Sequence, residues 1–264
     1  QAGMDKASAA LTVNRLCGSG LQAIVSASQI LMLGDASVAM AGGVEVMSNG
    51  AHIVQGFRWG SRMGDGQVHD MMLGALHDPF GHGHMGITAE NISSRYQISR
   101  EMQDEFALTS QKRAYEAIEN GAFKDQILPI EIKTRKGIEI FDVDEHPKPE
   151  TSIETLTGLR TAFKKDGVVT AGNASGINDG ASALVLANEE KAKSGKPLAR
   201  VVSYGFGGVD PDEMGMGPVP ASKMALNKAQ LTVSDLDLIE SNEAFAAQAC
   251  AVNKQLGLNP EIVN

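Results

Sequence analysis

Twice in this chain a short apolar run passes through a turn of small residues straight into a helical pattern, and that repetition constrains the fold more than any other feature. The first passage is TVNRLCGSGLQAIVSASQILMLGDASVAMAGG, Thr12 to Gly43. Residues 9–14 read as a strand. After the Gly-rich turn, Leu21, Ile24, Val25, Leu31 and Met32 recur at helical spacing until Gly34 closes the pattern. ASVAMAGGVEVMS then reads as a buried strand whose paired glycines lead into a loop. Strand, helix and strand in that order predict a parallel sheet in an α/β fold. In the second passage DLDLIES reads as a strand and NEAFAAQACAVNKQLG as a helix, with Asn242 and Glu243 at its start.

The segments between these passages differ in regularity. Residues 51–80 mix Gly, Met, His and the single tryptophan without a period, which marks a long excursion of the kind that carries function or meets a partner. GITAENISSRY and SREMQDEFALTSQKRAYEAIENG read as helices, the second opening with Ser99 as N-cap and Gln103 or Asp104 in its first turn, and closing at Asn120-Gly121. A polar stretch, 133–149, precedes a loop of Gly, Asn, Ser and Asp that enters the buried apolar strand 181–187. LARVVSYGFGGV reads as a further strand and PASKMALNKAQ, after Pro220, as a helix.

With 264 residues of which 42% are hydrophobic, the chain can bury the core of one large domain or two smaller ones. No apolar run approaches the length of a membrane span, and QAGMDKASAA has neither the basic start nor the apolar centre of a signal peptide. Two cysteines far apart give no disulfide framework and no zinc spacing, so a reducing, cytoplasmic setting is expected. A net charge of -9 argues against nucleic acid as the main partner, although a local basic patch could still meet a phosphorylated ligand.

Cys17 falls at or just before the N-terminus of the first helix. Unpaired N–H groups and the positive end of the helix dipole favour a thiolate there, and Gly18 and Gly20 leave space for a bulky substrate above the sulfur. The competing role is a structural thiol packed beneath the helix. His82 and His84 stand two apart in GHGH with His77 and Asp78 nearby, as metal ligands can, yet such pairs more often hydrogen-bond or face solvent, and no metal is expected. DVDEH, residues 142–146, reads as a solvated charged loop. Lys133, Arg135 and Lys136 are either exposed charge or contacts for phosphates.

NRLCGSGLQAI, HMGITAEN, TAGNASGINDGASALVL, GMGPVPASKMAL and SNEAFAAQACAVNKQLG, in this order, resemble the thiolases and in particular the short-chain acetyl-CoA acetyltransferases. The resemblance spans essentially the whole chain. It implies that Cys17 is the nucleophile that carries an acyl group as a thioester. Asn242 matches the asparagine that orients a water in an oxyanion hole, although an ordinary helix cap is what the pattern alone favours there. His84 and Met85 match residues near the acyl and pantetheine end of the pocket. Phe163, Ser175, Met214 and Phe245 match other lining positions, with Ser175 bonding the pantetheine arm, while core packing is the alternative for the Met and Phe positions.

The implied fold is α/β, two similar halves with a loop domain inserted in the first. The N-terminal half would run over 1–188 with the insert at about 47–174, and the C-terminal half over 196–264. The substrates would be acetyl-CoA, acetoacetyl-CoA and CoA, with no separate cofactor, no membrane partner and a homotetrameric assembly. The family's downstream GHP histidine and CxGG cysteine do not occur in these residues, and Cys250 does not match the latter. The expectation is therefore an interior segment of a thiolase subunit, incomplete at both termini and inactive by itself. An acyltransferase and a non-catalytic CoA-binding or assembly module are the two readings this leaves open.

Overall fold

The computed structural model describes residues 3–264. In chain order the elements are α1 (Ser19–Leu33), β1 (Val38–Val46), β2 (His52–Val54), β3 (Val68–Asp70), α2 (Met71–Ala75), β4 (His77–Asp78), β5 (Gly83–His84), α3 (Met85–Tyr96), α4 (Arg100–Glu119), β6 (Ile130–Thr134), β7 (Gly137–Phe141), α5 (Ile153–Thr157), β8 (Asp179–Ala187), α6 (Glu189–Ala192), α7 (Pro218–Ala229) and α8 (Ala246–Leu256). They form two compact units. One comprises the chain up to Ala75 with Ile177–Tyr204, the other Leu76–Gly176 with Gly205–Asn264.

The first unit is built on β1 and β8, which pair antiparallel over nine residues from Val38↔Ala187 to Val46↔Asp179. Among the described residues every ladder is a two-stranded antiparallel pair, so the parallel sheet expected from the strand–helix–strand order is not what forms. A strand is defined by its partner. Residues 9–14 and the stretch LARVVSYGFGGV do not form strands, and DLDLIES contributes a single bridge, Ile239 to Val263. The glycine pair that was expected to end the first strand lies inside it. A Cβ on Gly42 would sit 2.3 Å from the Ser182 carbonyl oxygen of the paired strand, and one on Gly43 would sit 3.3 Å from the Gly20 Cα of α1. The glycines are thus where two strands and a helix approach backbone to backbone. Neither strand is buried as expected; Ala41 alone of their residues is, because the pair has no second layer over its outer face among the described residues.

Helix α1 ends in a left-handed Gly34 at φ 81°, the C-cap read from sequence. Its inward side is Val25, Ala27, Ser28 and Leu31, whereas Leu21 and Met32 stay 74% and 82% exposed, so the inward stripe is narrower than the apolar periodicity suggests. Residues 16–33 also form an 18-residue stretch of mean hydropathy 1.5. One helix is therefore long and apolar enough to cross a membrane, contrary to the expectation from the sequence. Ser19, Gln22, Ser26 and Gln29 interrupt the apolar run, but none carries charge, and the mean stays high.

In the second unit the helical readings hold closely. Ser99 caps α4 by accepting from the Met102 N–H at 3.3 Å, and α4 ends at Glu119 with Asn120 as cap. Gln103 and Asp104, expected as first-turn polar residues, instead point into the core and are fully buried. Helix α7 begins two residues before the expected proline, at Pro218. The core is Ile92, Ile98, Met216, Ala251 and Val252, which brings α3 and α8 together. DVDEH is exposed throughout, as are Lys133, Arg135 and Lys136 on the β6–β7 hairpin.

Candidate active site

Cys17 is exposed and immediately precedes Gly18, the N-cap of α1, so the helix-start placement is observed. The turn that presents it is built by its neighbours. Leu16 adopts φ 48°, a left-handed conformation that costs a non-glycine residue about 1–2 kcal/mol. Three local bonds hold it: Leu16 N–H donates to Asn14 Oδ1 at 2.9 Å, Ser19 Oγ donates to the Leu16 carbonyl at 2.7 Å, and Ser19 Oγ accepts from the Arg15 N–H at 2.8 Å. Strain held in place by surrounding bonds marks a residue whose presentation matters.

The other cysteine is a contrast. Cys250 lies within α8, half-buried, and burial pushes its thiol up to about 11. Brief iodoacetamide treatment of folded protein is expected to alkylate Cys17 and spare Cys250, as peptide mapping by mass spectrometry will read directly; preferential labelling of Cys250 would remove Cys17 from its assigned place.

In the second unit three rings form a file. His84 stacks on Phe163 with centroids 4.7 Å apart and planes 22° from parallel, and Phe163 meets Phe245 edge-on at 6.0 Å. His77 packs edge-on against the other side of His84 at 4.9 Å. Packing is this close because position 86 is glycine: a Cβ there would lie 2.3–2.4 Å from three Phe163 ring atoms. Ala89, Val169 and Ala247 close the floor beneath the two phenylalanines. Thus both phenylalanines of the sequence reading are also partly core residues.

His84 caps α3, its Nδ1 accepting from the Gly86 N–H at 3.0 Å. That bond places the ring proton on Nε2. Burial, and then the nearby His77, pushes the imidazole below the ordinary histidine value, so at neutral pH His84 is a neutral ring with one N–H left to donate. Met85 follows as the first residue of α3, its N–H bonded to the Leu76 carbonyl at 2.8 Å. Ser175 is joined to the opposite segment, its N–H donating to the Ala244 carbonyl at 3.1 Å beside the Ala174–Phe245 bridge.

Asn242 is exposed in a segment outside any helix or strand. It is not a helix cap: α8 begins at Ala246 with Phe245 at the cap position, because residues 244–246 are taken by backbone pairing to 173–175. Met214 is half-exposed in a 3-10 turn, Pro211–Met216, which Arg95 holds by an ion pair to Glu213 and Asn91 by donating to the Asp212 carbonyl at 3.2 Å. His84, Phe163, Ser175 and Phe245 are therefore brought together in one unit, while Cys17 belongs to the other.

His82 does not act with His84. Its Nδ1 lies 2.5 Å from Asp212 Oδ1, and this hydrogen bond raises its pKa above the ordinary value near 6.5. A raised folded value means the pair stabilises the fold fully below pH 6.5 and ceases to do so as pH rises through the folded value. Asp212→Asn should therefore lower the melting temperature more at pH 6 than at pH 9. An equal loss at both would remove the ion pair from the account.

Sequence reasoning missed the residues beneath this site. Glu90, buried on α3, accepts from the Val168 and Val169 N–H groups at 2.9–3.0 Å, and a Cβ on Gly167 would lie 2.2 Å from its carboxylate. Asp104 and Asn173 bond each other at 3.0 Å. A carboxylate on the inward stripe of a helix was the available signal for Glu90 and Asp104.

The family model described as Thiolase, N-terminal domain, matches residues 1–190, and the one described as Thiolase, C-terminal domain, matches residues 195–264. The chain belongs to the thiolase family. It is 60% identical over 258 residues to a β-ketothiolase of Cupriavidus necator, covering 97% of this chain and 66% of that one. An acetyl-CoA acetyltransferase of Syntrophomonas wolfei is 53% identical over 262 residues, with 97% and 66% covered. The solved structure of human mitochondrial 3-ketoacyl-CoA thiolase in complex with CoA superposes with a TM-score of 0.94 at 45% identity over 99% of this chain and 66% of that one. The chain thus has the thiolase fold and spans about two thirds of the length of these thiolases.

Proposed function

We propose that this thiolase chain carries the acyl-transfer chemistry of an acetyl-CoA acetyltransferase. The observation that carries the reading is Cys17, exposed on a strained turn at a helix start. In condensation its thiolate attacks the carbonyl carbon of acetyl-CoA; the bond to the CoA sulfur breaks, and CoA leaves as a thiolate that takes up a proton. A second acetyl-CoA gives up a proton from its α carbon, that carbon attacks acetyl-Cys17, and the bond to the Cys17 sulfur breaks to release acetoacetyl-CoA. Thiolysis runs these steps backwards. Asn242 serves the oxygen that gains charge at the carbon–carbon step. His84, through its Nε2–H, and Met85 face the acyl end. Ser175 bonds the pantetheine arm, and Phe163, Met214 and Phe245 line its path.

CoA thioesters are then the substrates, and the organisation is that of two halves, 1–188 with an insert at about 47–174 and 196–264. A soluble cytoplasmic enzyme belongs to the same proposal. The test is acylation: the chain is incubated with acetyl-CoA and mapped by mass spectrometry beside its Cys17→Ala variant. An acetyl group at Cys17, absent from the variant, supports the reading. No adduct at Cys17, either in the 264 residues alone or in the same residues set in place of the matching stretch of the Cupriavidus necator relative, overturns it in favour of a CoA-binding or assembly module.

Assembly as a homotetramer belongs to the same proposal. Residues 51–80 leave Phe57, Trp59, Met63 and Phe80 exposed, Trp59 to 86% and Met63 to 98%, which is apolar surface of the kind that copies of a subunit cover. Trp59→Asp with Met63→Asp is expected to shift a light-scattering mass to smaller species, and an unchanged mass with the fold intact would place the interface elsewhere.

A further inference from the structure

Two segments bring the proposed substrate contacts of the second unit together, and backbone bonds lock one to the other. Ser175 N–H donates to the Ala244 carbonyl at 3.1 Å, and Ala246 N–H donates to the Asn173 carbonyl at 2.9 Å. The segment bearing Ser175 and the segment bearing Asn242 and Phe245 are therefore paired through the backbone.

What fixes that piece is the helix α4. The Asn173 side chain is buried and fully engaged: Oδ1 accepts from the Thr170 N–H at 2.8 Å, while Nδ2 donates to the Val168 carbonyl at 3.2 Å and to Asp104 Oδ1 at 3.0 Å. Asp104 Oδ2 accepts from Arg100 Nε at 2.7 Å, and Arg100 Nη2 donates onward to the Leu156 and Leu159 carbonyls at 2.6 and 3.2 Å. Further along α4, Ser110 Oγ donates to Glu243 Oε2 at 2.6 Å, next to Asn242. One helix thus grips both segments, through an amide in one and a carboxylate in the other.

An ion pair whose carboxylate is fully buried, as that of Asp104 is beneath a partly exposed Arg100, is a poor way to stabilise a core, since an apolar filling of the same volume commonly does as well or better. Its use is to fix geometry. We infer that Asp104, Asn173 and Ser110 are positioning residues that set the place of Ser175 and Asn242 against the substrate, so that α4 determines how the pantetheine arm and the developing oxyanion are held in register. This rests on the acyltransferase reading above. Displacements of about 1 Å in such a site cost on the order of 100-fold in rate.

The test measures acetoacetyl-CoA thiolysis in the chain completed with the Cupriavidus necator flanks, with active sites counted by acetyl-Cys17. Ser110→Ala is expected to lower kcat by about tenfold with KM for acetoacetyl-CoA nearly unchanged, a part of what a full displacement of about 1 Å would cost, and Ser110→Thr, which keeps the hydroxyl, to restore it. Asn173→Ser is expected to lower kcat and raise KM together, because both Ser175 and Asn242 shift. A merely structural role would reduce the melting temperature and the number of active sites but leave kcat and KM per site alone, and that result overturns the inference. Should Asn173→Ser fail to fold, the Ser110 pair decides. Turnover that survives Cys17→Ala, or a completed chain without activity, would instead fail the acyltransferase reading, and this inference with it.

Discussion

Replacing Cys17 by alanine should reduce acetoacetyl-CoA thiolysis per folded site in the completed chain by at least about 10⁴-fold while leaving CoA affinity close to unchanged. The reason is the nature of the step removed. A nucleophile that forms a covalent intermediate is not replaced by weaker contacts around it, and deletions of this kind cost on the order of 10⁶-fold in well-studied hydrolases. Binding is a separate matter, because the proposed pantetheine and acyl contacts, His84, Ser175 and the two phenylalanines, lie in the other compact unit. Alanine also leaves the turn alone, since Asn14 and Ser19 hold Leu16 through bonds that do not involve the Cys17 side chain. Stopped-time thiolysis assays and calorimetric titration with CoA read the two quantities independently. Turnover within tenfold of the parent would show that another group takes the acyl chain.

What the sequence made legible was local. The Cys17 turn, the start and end of α1, the Ser99 cap and the span of α3 all rest on chemistry within a few residues, and each was readable without knowing the fold. Pairing was not readable. The β1–β8 ladder joins segments separated by more than a hundred residues, and nothing in AGGVEV says that the glycines make room for Ser182 and Gly20 rather than for a turn. The same distance effect displaced the start of α8. Asn242 has the residue type of a cap, but the tertiary bonds of 244–246 to 173–175 claim the backbone first and delay the helix to Ala246. Of the site, the resemblance supplied His84, Phe163, Ser175 and Phe245 as separate positions. It did not show that three of them form one file of rings, or that Asp104, which by position looks like a first-turn acid, faces inward to bond Asn173.

The file of rings yields the second large effect, at Gly86. In an unconstrained helix, alanine for glycine would stabilise by about 1 kcal/mol. Here the added Cβ would fall 2.3–2.4 Å from Cγ, Cδ1 and Cδ2 of Phe163, far inside van der Waals contact. The ring cannot simply swing aside, being stacked against His84 on one side and set edge-on to Phe245 on another, with Val169 and Ala247 beneath. Overpacking of a close-packed core costs about 1–3 kcal/mol, and this contact belongs at or above the upper end, so the clash outweighs the helical gain. Gly86→Ala should therefore destabilise by about 2 kcal/mol, and Gly86→Val by more, since a β-branched side chain adds bulk in the same direction. The sign of the coupling makes the cause testable. Phe163→Ala alone opens a cavity and should cost about 3 kcal/mol. In that background Gly86→Ala has the vacated space to occupy, and its penalty should vanish or reverse into the helical gain. A denaturant-unfolding cycle over the four proteins measures this directly: a coupling of about 2 kcal/mol or more in favour of the double variant is expected, and additive losses would mean that the Phe163 ring is not what keeps position 86 a glycine.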